Sequence, residues 1–339
     1  MNDKKFGTCS AHQIDKCGKN LINNKNDDQS LKILNKWRAN HNGPLITIKQ
    51  DILRYSVKLG KKPLLVSRIK RMESILEKLK ANKDMKLSRI QDIGGCRLIV
   101  NDTEDLFEIN DMFMKNKINK KIKKTKNYIL NPTKNGYRGI HLIYEYNNNK
   151  YFECNNCQIE IQLRTKLQHI WATTVEVYDI ITKNNIKHND ADEDSLRYFS
   201  LMSSFIAKEE DTPIVPDTPD DLNELITELL NLNKKLGIEK ILEQYNVITK
   251  RSSNNSNDEY CLLDLSLINN DNKRPLNIMF YRQFDKAMEK YQEIEQNNSD
   301  NNVVLVSIKD IKNLKKAYPN YFLDSSDFIK FIKDKVKRE

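Results

Sequence analysis

Apolar positions recur at helical spacing in several blocks separated by polar breaks. Leu31, Leu34 and Trp37 place a helix over 30–40, which Gly43-Pro44 ends. Thr47 with Gln50 forms a capping-box pair for a helix over about 48–59. After Pro63, the stripe Ile69, Met72, Ile75, Leu76 and Leu79 predicts a helix over 66–81. Lys70, Arg71, Ser74 and Lys78 point away from that stripe, with Arg68 at its start. Further helices are expected over 103–115, 165–181, 192–208, 284–296 and 325–336. A period of two replaces the helical one at 157–165, CQIEIQLRT, where Ile159, Ile161 and Leu163 alternate with Glu160, Gln162 and Arg164. That is a half-buried strand presenting an acid, an amide and a guanidinium to one surface.

The stretch 88–100, SRIQDIGGCRLIV, reads as a loop carrying Asp92, a tight Gly94-Gly95 turn, then a buried strand opening with Arg97. Strands are also expected at 141–144, 259–267, 275–281 and 302–307, with a hairpin returning through Tyr151 and Phe152. Residues 1–29 are rich in Asn, Lys and Asp and read as a mobile tail. Residues 30–210 form the main domain, and Pro213, Pro216 and Pro219 mark a linker over 211–219. Thr218 with Asp221 restarts a helix with Pro219 at its first position. Residues 220–339 then form a small α+β unit without a catalytic constellation. The fold class is α+β: a mixed sheet flanked by helices, plus this C-terminal unit.

With 339 residues the chain has room for two cores. A hydrophobic content of 38% and the lack of any apolar run near the ~18 residues of a membrane span predict a soluble protein. The N-terminus has no apolar secretory core, so the cytoplasm is the expected compartment. A net charge of +10 favours anionic partners such as nucleotides or RNA, unless it reflects nothing more than a general abundance of lysine. Segment 115–134 holds eight lysines and no acid. It reads as a guarded sheet edge over 115–126 and as an electrostatic footprint at Lys134. Cys154 and Cys157 have metal-ligand spacing that Cys9, His12 and Cys17 could complete, but six cysteines in a cytosolic chain favour free thiols.

There is no P-loop and no G-x-G-x-x-G. Two acids on adjacent strands, Asp92 and Glu160, ringed by arginine and lysine, suit magnesium and phosphate chemistry. Such transfer needs a metal on the phosphate oxygens, positive charge where negative charge builds, and an aligned nucleophile. Taken singly, each residue has a plainer reading: Asp92 as a turn cap, Tyr137 as a strand-end core residue, Glu160 and Arg164 as ion-pair partners.

Four runs in order, RIKRMESILEKLK, QDIGGCRLIV, NPTKNGYRGIH and IEIQLRTKLQHIWATTVE, resemble the synthetase domain of the RelA/SpoT family over about 65–180. The flanks resemble its small single-synthetase members; the segment after 220 matches none of the family's regulatory domains. The resemblance implies a nucleotidyltransferase-like fold that moves pyrophosphate from ATP to the 3′-hydroxyl of GDP or GTP. It implies Asp92 and Glu160 as the catalytic pair: Asp92 would hold Mg²⁺ on the ATP phosphates, and Glu160 would help with that metal and orient or deprotonate the attacking 3′-hydroxyl. Arg68 and Arg97 would flank adenine, and Lys70, Ser74 and Lys78 would meet the ATP phosphates. Tyr137 would stack on the acceptor base, with Lys134 and Arg138 near its phosphates. Gln162, Arg164 and His141 would support Glu160, and Glu176 would contact guanine or pack. His169 stands where small synthetases often carry a guanine-reading Asn, and that spelling is closer to toxic small synthetases that modify the tRNA 3′ end or make adenosine alarmones. The acceptor alternatives are therefore a guanine nucleotide, an adenine nucleotide or tRNA; an inactive nucleotide sensor is the remaining rival. No His-Asp dipeptide occurs, so no alarmone hydrolysis is expected. The unit after 220 is expected to be a regulatory or ligand-sensing module that either inhibits the enzyme or recruits a partner, a protein regulator or a second copy; DNA and membranes are not expected partners.

Overall fold

A computed structural model describes residues 5–6, 9–25, 27–115, 121–147, 154–186, 189–243, 246–251, 258–265, 273–297, 302–307 and 311–337. A short hairpin, β1 (Lys5–Phe6) and β2 (Cys9–Ser10), leads into α1 (Ala11–Asn23), α2 (Asp28–Ala39) and α3 (Asn42–Lys58). Then come β3 (Leu64–Ile69), α4 (Met72–Ala81), β4 (Gly94–Val100), α5 (Thr103–Lys115), β5 (Ile122–Asn127), β6 (Ile140–Glu145) and β7 (Gln158–Thr165). The long helices α6 (Lys166–Thr182) and α7 (Glu193–Glu209) precede α8 (Leu222–Leu236) and α9 (Ile238–Glu243). The chain closes with β8 (Asn246–Arg251), β9 (Tyr260–Leu265), β10 (Lys273–Tyr281), α10 (Phe284–Asn297), β11 (Asn302–Ser307), α11 (Ile311–Ala317) and α12 (Ser326–Phe331).

Nine of the strands form one mixed sheet in the order β5-β6-β7-β4-β3-β11-β9-β10-β8. β4 runs parallel to β7, while β3 is antiparallel to both β4 and β11. One face is covered by α3, α5 and α10, which contribute Ile48, Ile52, Phe113 and Tyr291 to a core with Ile159, Ile161 and Leu163. The other face meets α6 to α9, α11 and α12 through Trp171, Phe199, Leu225, Leu314 and Phe328. The alternation in β7 is thus resolved as expected: its apolar residues enter the first core, and its polar residues face the α6 side.

Three sequence expectations are corrected. Residues 64–69 are a strand, and the helix begins only at Met72. Val66 and Ile69 satisfy helical and extended patterns alike, and pairing with β4 and β11 decides between them. Residues 11–23 are a helix, not a tail: Ile14, Cys17 and Leu21 are buried against Leu34, Trp37, Leu76 and Leu79. Its capping box, Ser10 with Gln13, is a signal present in the sequence. The unit after 220 does not stand apart, because β11 hydrogen-bonds to β3 and carries β9, β10 and β8 into the same sheet. At finer grain, Thr47 bonds back to the Gly43 carbonyl instead of capping, and Asp221 rather than Thr218 caps α8. Strand β5 is the sheet's outer strand, as the guarded-edge reading of its lysines expects; part of 115–134 and the turn through Tyr151 and Phe152 lie outside the described residues.

Candidate functional site

Register builds the site. Arg68 on β3 pairs with Gly95 on β4, and Gly95 pairs with Glu160 on β7. One step along, Arg97 pairs with Gln162, which also pairs with His141 on β6. Directly paired residues project to the same side of a sheet. Arg68, Arg97, His141, Glu160 and Gln162 therefore share the α6 face, and Gly95 leaves the floor between Arg68 and Glu160 free of a side chain.

Asp92 sits just before β4, where Lys70 Nζ reaches Oδ2 at 2.8 Å and Lys78 Nζ reaches Oδ1 at 2.9 Å. Burial alone would raise its pKa, but the two ammonium groups outweigh burial and hold it well below the usual carboxylate range. Glu160 accepts from His141 Nδ1 at 3.0 Å and from Gln162 Nε2 at 2.7 Å. Burial and the charge of Asp92 raise its pKa; the His141 and Gln162 contacts more than offset them and bring it down to about 2. The two acids are thus ionised and within electrostatic reach of each other. Both line one cleft with Arg68, Gly95, Cys96, Arg97, Gln162 and Tyr318. Burial depresses the Arg97 guanidinium to about 10, helped by the charges of Arg164 and Arg68. The wall is therefore rich in cations with too few anions.

A second, larger cavity of about 240 Å³ adjoins this one through Gln162. Tyr128, Tyr137, His141, Arg164, Trp171 and Glu176 are among its lining residues. Arg164 Nη2 donates to the Tyr137 hydroxyl at 3.0 Å and to Gln162 Oε1 at 3.1 Å, while its Nε and Nη1, both buried, have no partner among the described residues. Buried donors normally find partners, so these two suit an anion or a carbonyl oxygen. Gly136, beside Tyr137, has φ +91°, and a Cβ there would fall 2.9 Å from the Trp171 ring. Only glycine lets this turn press against α6 and hold Tyr137 over the cavity.

The structure brings together most, but not all, of the expected site residues. Arg68, Asp92, Arg97, Glu160 and Gln162 line the narrow cleft, with Lys70 and Lys78 on Asp92. Tyr137, His141, Gln162, Arg164 and Glu176 line the larger cavity. Ser74 lies half-buried in the first turn of α4 and lines neither; Lys134 is exposed on a turn outside both. Arg138 is corrected. It is 2% exposed and spends its donors on Ser203 Oγ, the Ile129 carbonyl and the Pro213 carbonyl, which ties the 211–219 segment to the sheet. His169 also lies outside the larger cavity: its Nε2 donates to the Lys316 carbonyl at 3.0 Å.

That contact belongs to a feature not anticipated from the sequence. The segment after β11 lies across the cationic wall. Arg97 Nη1 donates to the Ala317 carbonyl at 3.3 Å and its guanidinium lies 5.8 Å from the Tyr318 ring centre. The Tyr318 hydroxyl reaches the Ser67 carbonyl at 3.5 Å. With Tyr318 in place the cleft is only about 20 Å³, room for roughly one water. Among the described residues no group of three or more His, Cys, Asp or Glu could hold a metal. Two carboxylates suffice for magnesium, which commonly takes one or two and fills its shell with phosphate oxygens and water; Asp92 and Glu160 fit that demand. The cysteines at 9, 17, 96, 154, 157 and 261 are buried free thiols. No helix among the described residues is long and apolar enough to cross a membrane.

Residues 67–186 match the model of the region found in RelA / SpoT proteins. Over 113 residues the chain is 36% identical to the GTP pyrophosphokinase YwaC of Bacillus subtilis, covering 32% of this chain and 53% of that protein. Over 109 residues it is 31% identical to the GTP pyrophosphokinase YjbM of the same organism, covering 31% and 51%. The chain thus spans about half the length of these curated relatives. Among solved structures, small alarmone synthetase 2 of Bacillus subtilis aligns at 25% identity with a TM-score of 0.41, covering 58% of this chain and 93% of that one. The stretch that holds Arg68, Asp92 and Glu160 lies within the part of the chain that matches the RelA / SpoT region.

Proposed function

We propose that this chain is an ATP-dependent pyrophosphotransferase that moves the β,γ-pyrophosphate of ATP to the ribose 3′-hydroxyl of GDP or GTP, in the cytoplasm where these nucleotides reside. The observation that carries the reading is the pair of ionised carboxylates, Asp92 and Glu160, in one cationic cleft that opens beside an aromatic-walled cavity. The cleft suits the donor and the cavity suits the acceptor base. The two curated relatives bear the name GTP pyrophosphokinase, which supports the guanine acceptor.

In this mechanism Arg68 and Arg97 sandwich adenine, since guanidinium planes stack on aromatic faces. Lys70 and Lys78 exchange Asp92 for the triphosphate. Asp92 and Glu160 would hold magnesium, which supplies charge neutralisation on the phosphate oxygens. The acceptor 3′-oxygen attacks the β-phosphorus, the bond from that phosphorus to the α,β-bridging oxygen breaks, and AMP leaves. A loose transition state asks for little general-base strength. Glu160, with its low pKa, orients the hydroxyl, and the proton passes to the Glu160–His141 pair. Tyr137 and Trp171 flank the acceptor base, and the free Arg164 donors meet its polar groups.

The segment after 220 is, in this reading, a built-in regulator. ATP cannot enter a cleft of about 20 Å³, so Tyr318 must leave before the donor binds. Incubating the protein with γ-labelled ATP and either GDP, GTP, ATP or deacylated tRNA tests the acceptor. Label in the guanine nucleotide is expected. Label in tRNA alone would replace this reading with that of an RNA-modifying toxin, and none anywhere, even with Tyr318→Ala, would leave a nucleotide sensor. Manganese-dependent release of pyrophosphate from the product would overturn the absence of hydrolysis.

A further inference from the structure

The loop between β3 and α4 delivers Lys70 to Asp92, and α4, which starts from this loop, delivers Lys78 to the same carboxylate. Its backbone is gripped from outside the RelA/SpoT region on both sides. Arg38, on α2, donates from Nε to the Lys70 carbonyl at 3.1 Å. Glu295, on α10, accepts the Met72 N–H at 2.8 Å through Oε1. The two side chains meet in a two-pronged ion pair, Nη1 to Oε2 at 2.7 Å and Nη2 to Oε1 at 3.1 Å. Arg38 is fully buried and Glu295 is 8% exposed. Asn35 accepts a further bond from Arg38 Nη1 at 3.1 Å, and Tyr291 lies under the guanidinium at 4.8 Å.

A buried ion pair is seldom the most stable way to join two helices, because an apolar pair of similar volume often does as well or better. This pair does something an apolar pair cannot: it fixes one peptide carbonyl and one peptide N–H on either side of Arg71. An ammonium group on a flexible stem is useful only if its backbone origin is set, and a misplacement of about 1 Å is enough to cost 10²-fold in a positioned reaction.

We propose that Arg38 and Glu295 are positioning residues for the donor nucleotide, fixing the peptides on either side of Arg71 so that Lys70, and Lys78 on α4 beyond it, face its phosphates. This rests on the pyrophosphotransferase reading. Two consequences follow: the donor loop is incomplete without α2 and α10, and the acceptor cavity is indifferent to them.

The test compares Glu295→Gln and the apolar double variant Arg38→Met/Glu295→Leu with the unsubstituted chain, each also in the Tyr318→Ala background. The double variant is expected to keep its thermal midpoint, raise KM for ATP by about tenfold or more, and leave KM for GDP within about twofold. Glu295→Gln keeps an acceptor for the Met72 N–H and is expected to fall between. Hydrogen exchange of the amides of 70–75 should speed up by about tenfold in the double variant with no change in β7. A stable double variant with unchanged KM for ATP, or an equal rise in both KM values, overturns the proposal. So does unaltered exchange at 70–75, whatever the enzyme does. If the unsubstituted chain and its Tyr318→Ala variant transfer no pyrophosphate, the functional reading fails, and the exchange result alone decides whether the grip on the loop exists.

Discussion

Asp92 and Glu160 are both ionised, but by different means, and this separates their predicted behaviour. Asp92 is held by two lysines that the donor would recruit, so Asp92→Asn removes the proposed metal ligand and leaves Lys70 and Lys78 uncompensated. It is expected to lower magnesium-dependent transfer by roughly 10²–10³-fold, read as kcat across a magnesium titration. Glu160 is held by His141 and Gln162. Its folded-state pKa of about 2 lies below the ordinary 4.5, so the unfolded chain binds more protons between those values. The stabilisation is complete above about 4.5 and is lost as pH falls toward about 2. Glu160→Gln should therefore flatten the fall of the thermal midpoint in that window, and an acid limb as steep as that of the unsubstituted chain would show that the folded pKa is not depressed. Tyr137→Ala is expected to raise KM for the acceptor several-fold and leave KM for ATP unchanged. Loss of ATP binding instead would mean that the two cavities have been assigned the wrong way round.

Among the elements, β7 and the Asp92 loop were the most legible. Strict alternation exposes which side chains share a face, and glycines before a buried run mark a turn. Strand β3 was not legible, because six residues with apolar positions two and three apart fit both periods, and only the neighbours β4 and β11 select the extended form. Arg138 shows the complementary limit: a guanidinium in a motif of binding residues reads as a ligand contact until its three protein acceptors are seen. The segment over 311–322 lay beyond sequence reasoning for a plainer reason. Tyr318 meets Arg97 across more than two hundred residues of chain, and nothing local to a tyrosine names its partner. That element carries its own prediction. Tyr318→Ala removes the ring from the cleft but leaves Leu314 and Ala317, which are buried in the core, in place. ATP binding should strengthen by about tenfold or more and basal transfer should rise with it, since removing a population penalty raises apparent affinity by the same factor. Equal ATP affinity in the two proteins would show that the tyrosine does not gate the donor.

For the molecule as a whole, the continuous sheet matters more than the proline-marked linker. β11 is the ladder that joins the RelA/SpoT region to everything after it, and Val304 and Val306 enter the same core as Trp171 and Phe199. Cutting at the linker would strip β3 of β11, one of its two partners, and leave β3 as a bare edge, the kind of surface that pairs with other chains. It would also leave Arg38 buried without Glu295, and breaking a buried pair costs about 3–5 kcal/mol. A chain ending at residue 219 is therefore expected to aggregate rather than to behave as a freed synthetase, and light scattering at rising concentration would read this. The full chain should unfold in one transition, with tryptophan emission, which reports Trp37 in the N-terminal cluster and Trp171 at the larger cavity, coinciding with the loss of far-ultraviolet dichroism. A soluble, monomeric fragment 1–219, or two separated transitions, would mean that the β3–β11 ladder joins two independent units. Release of Tyr318 could then proceed by undocking of a domain. If the single transition holds, release of Tyr318 has to come from local rearrangement of 311–322 against an intact sheet, and the proposed regulator cannot be separated from the fold that carries the site.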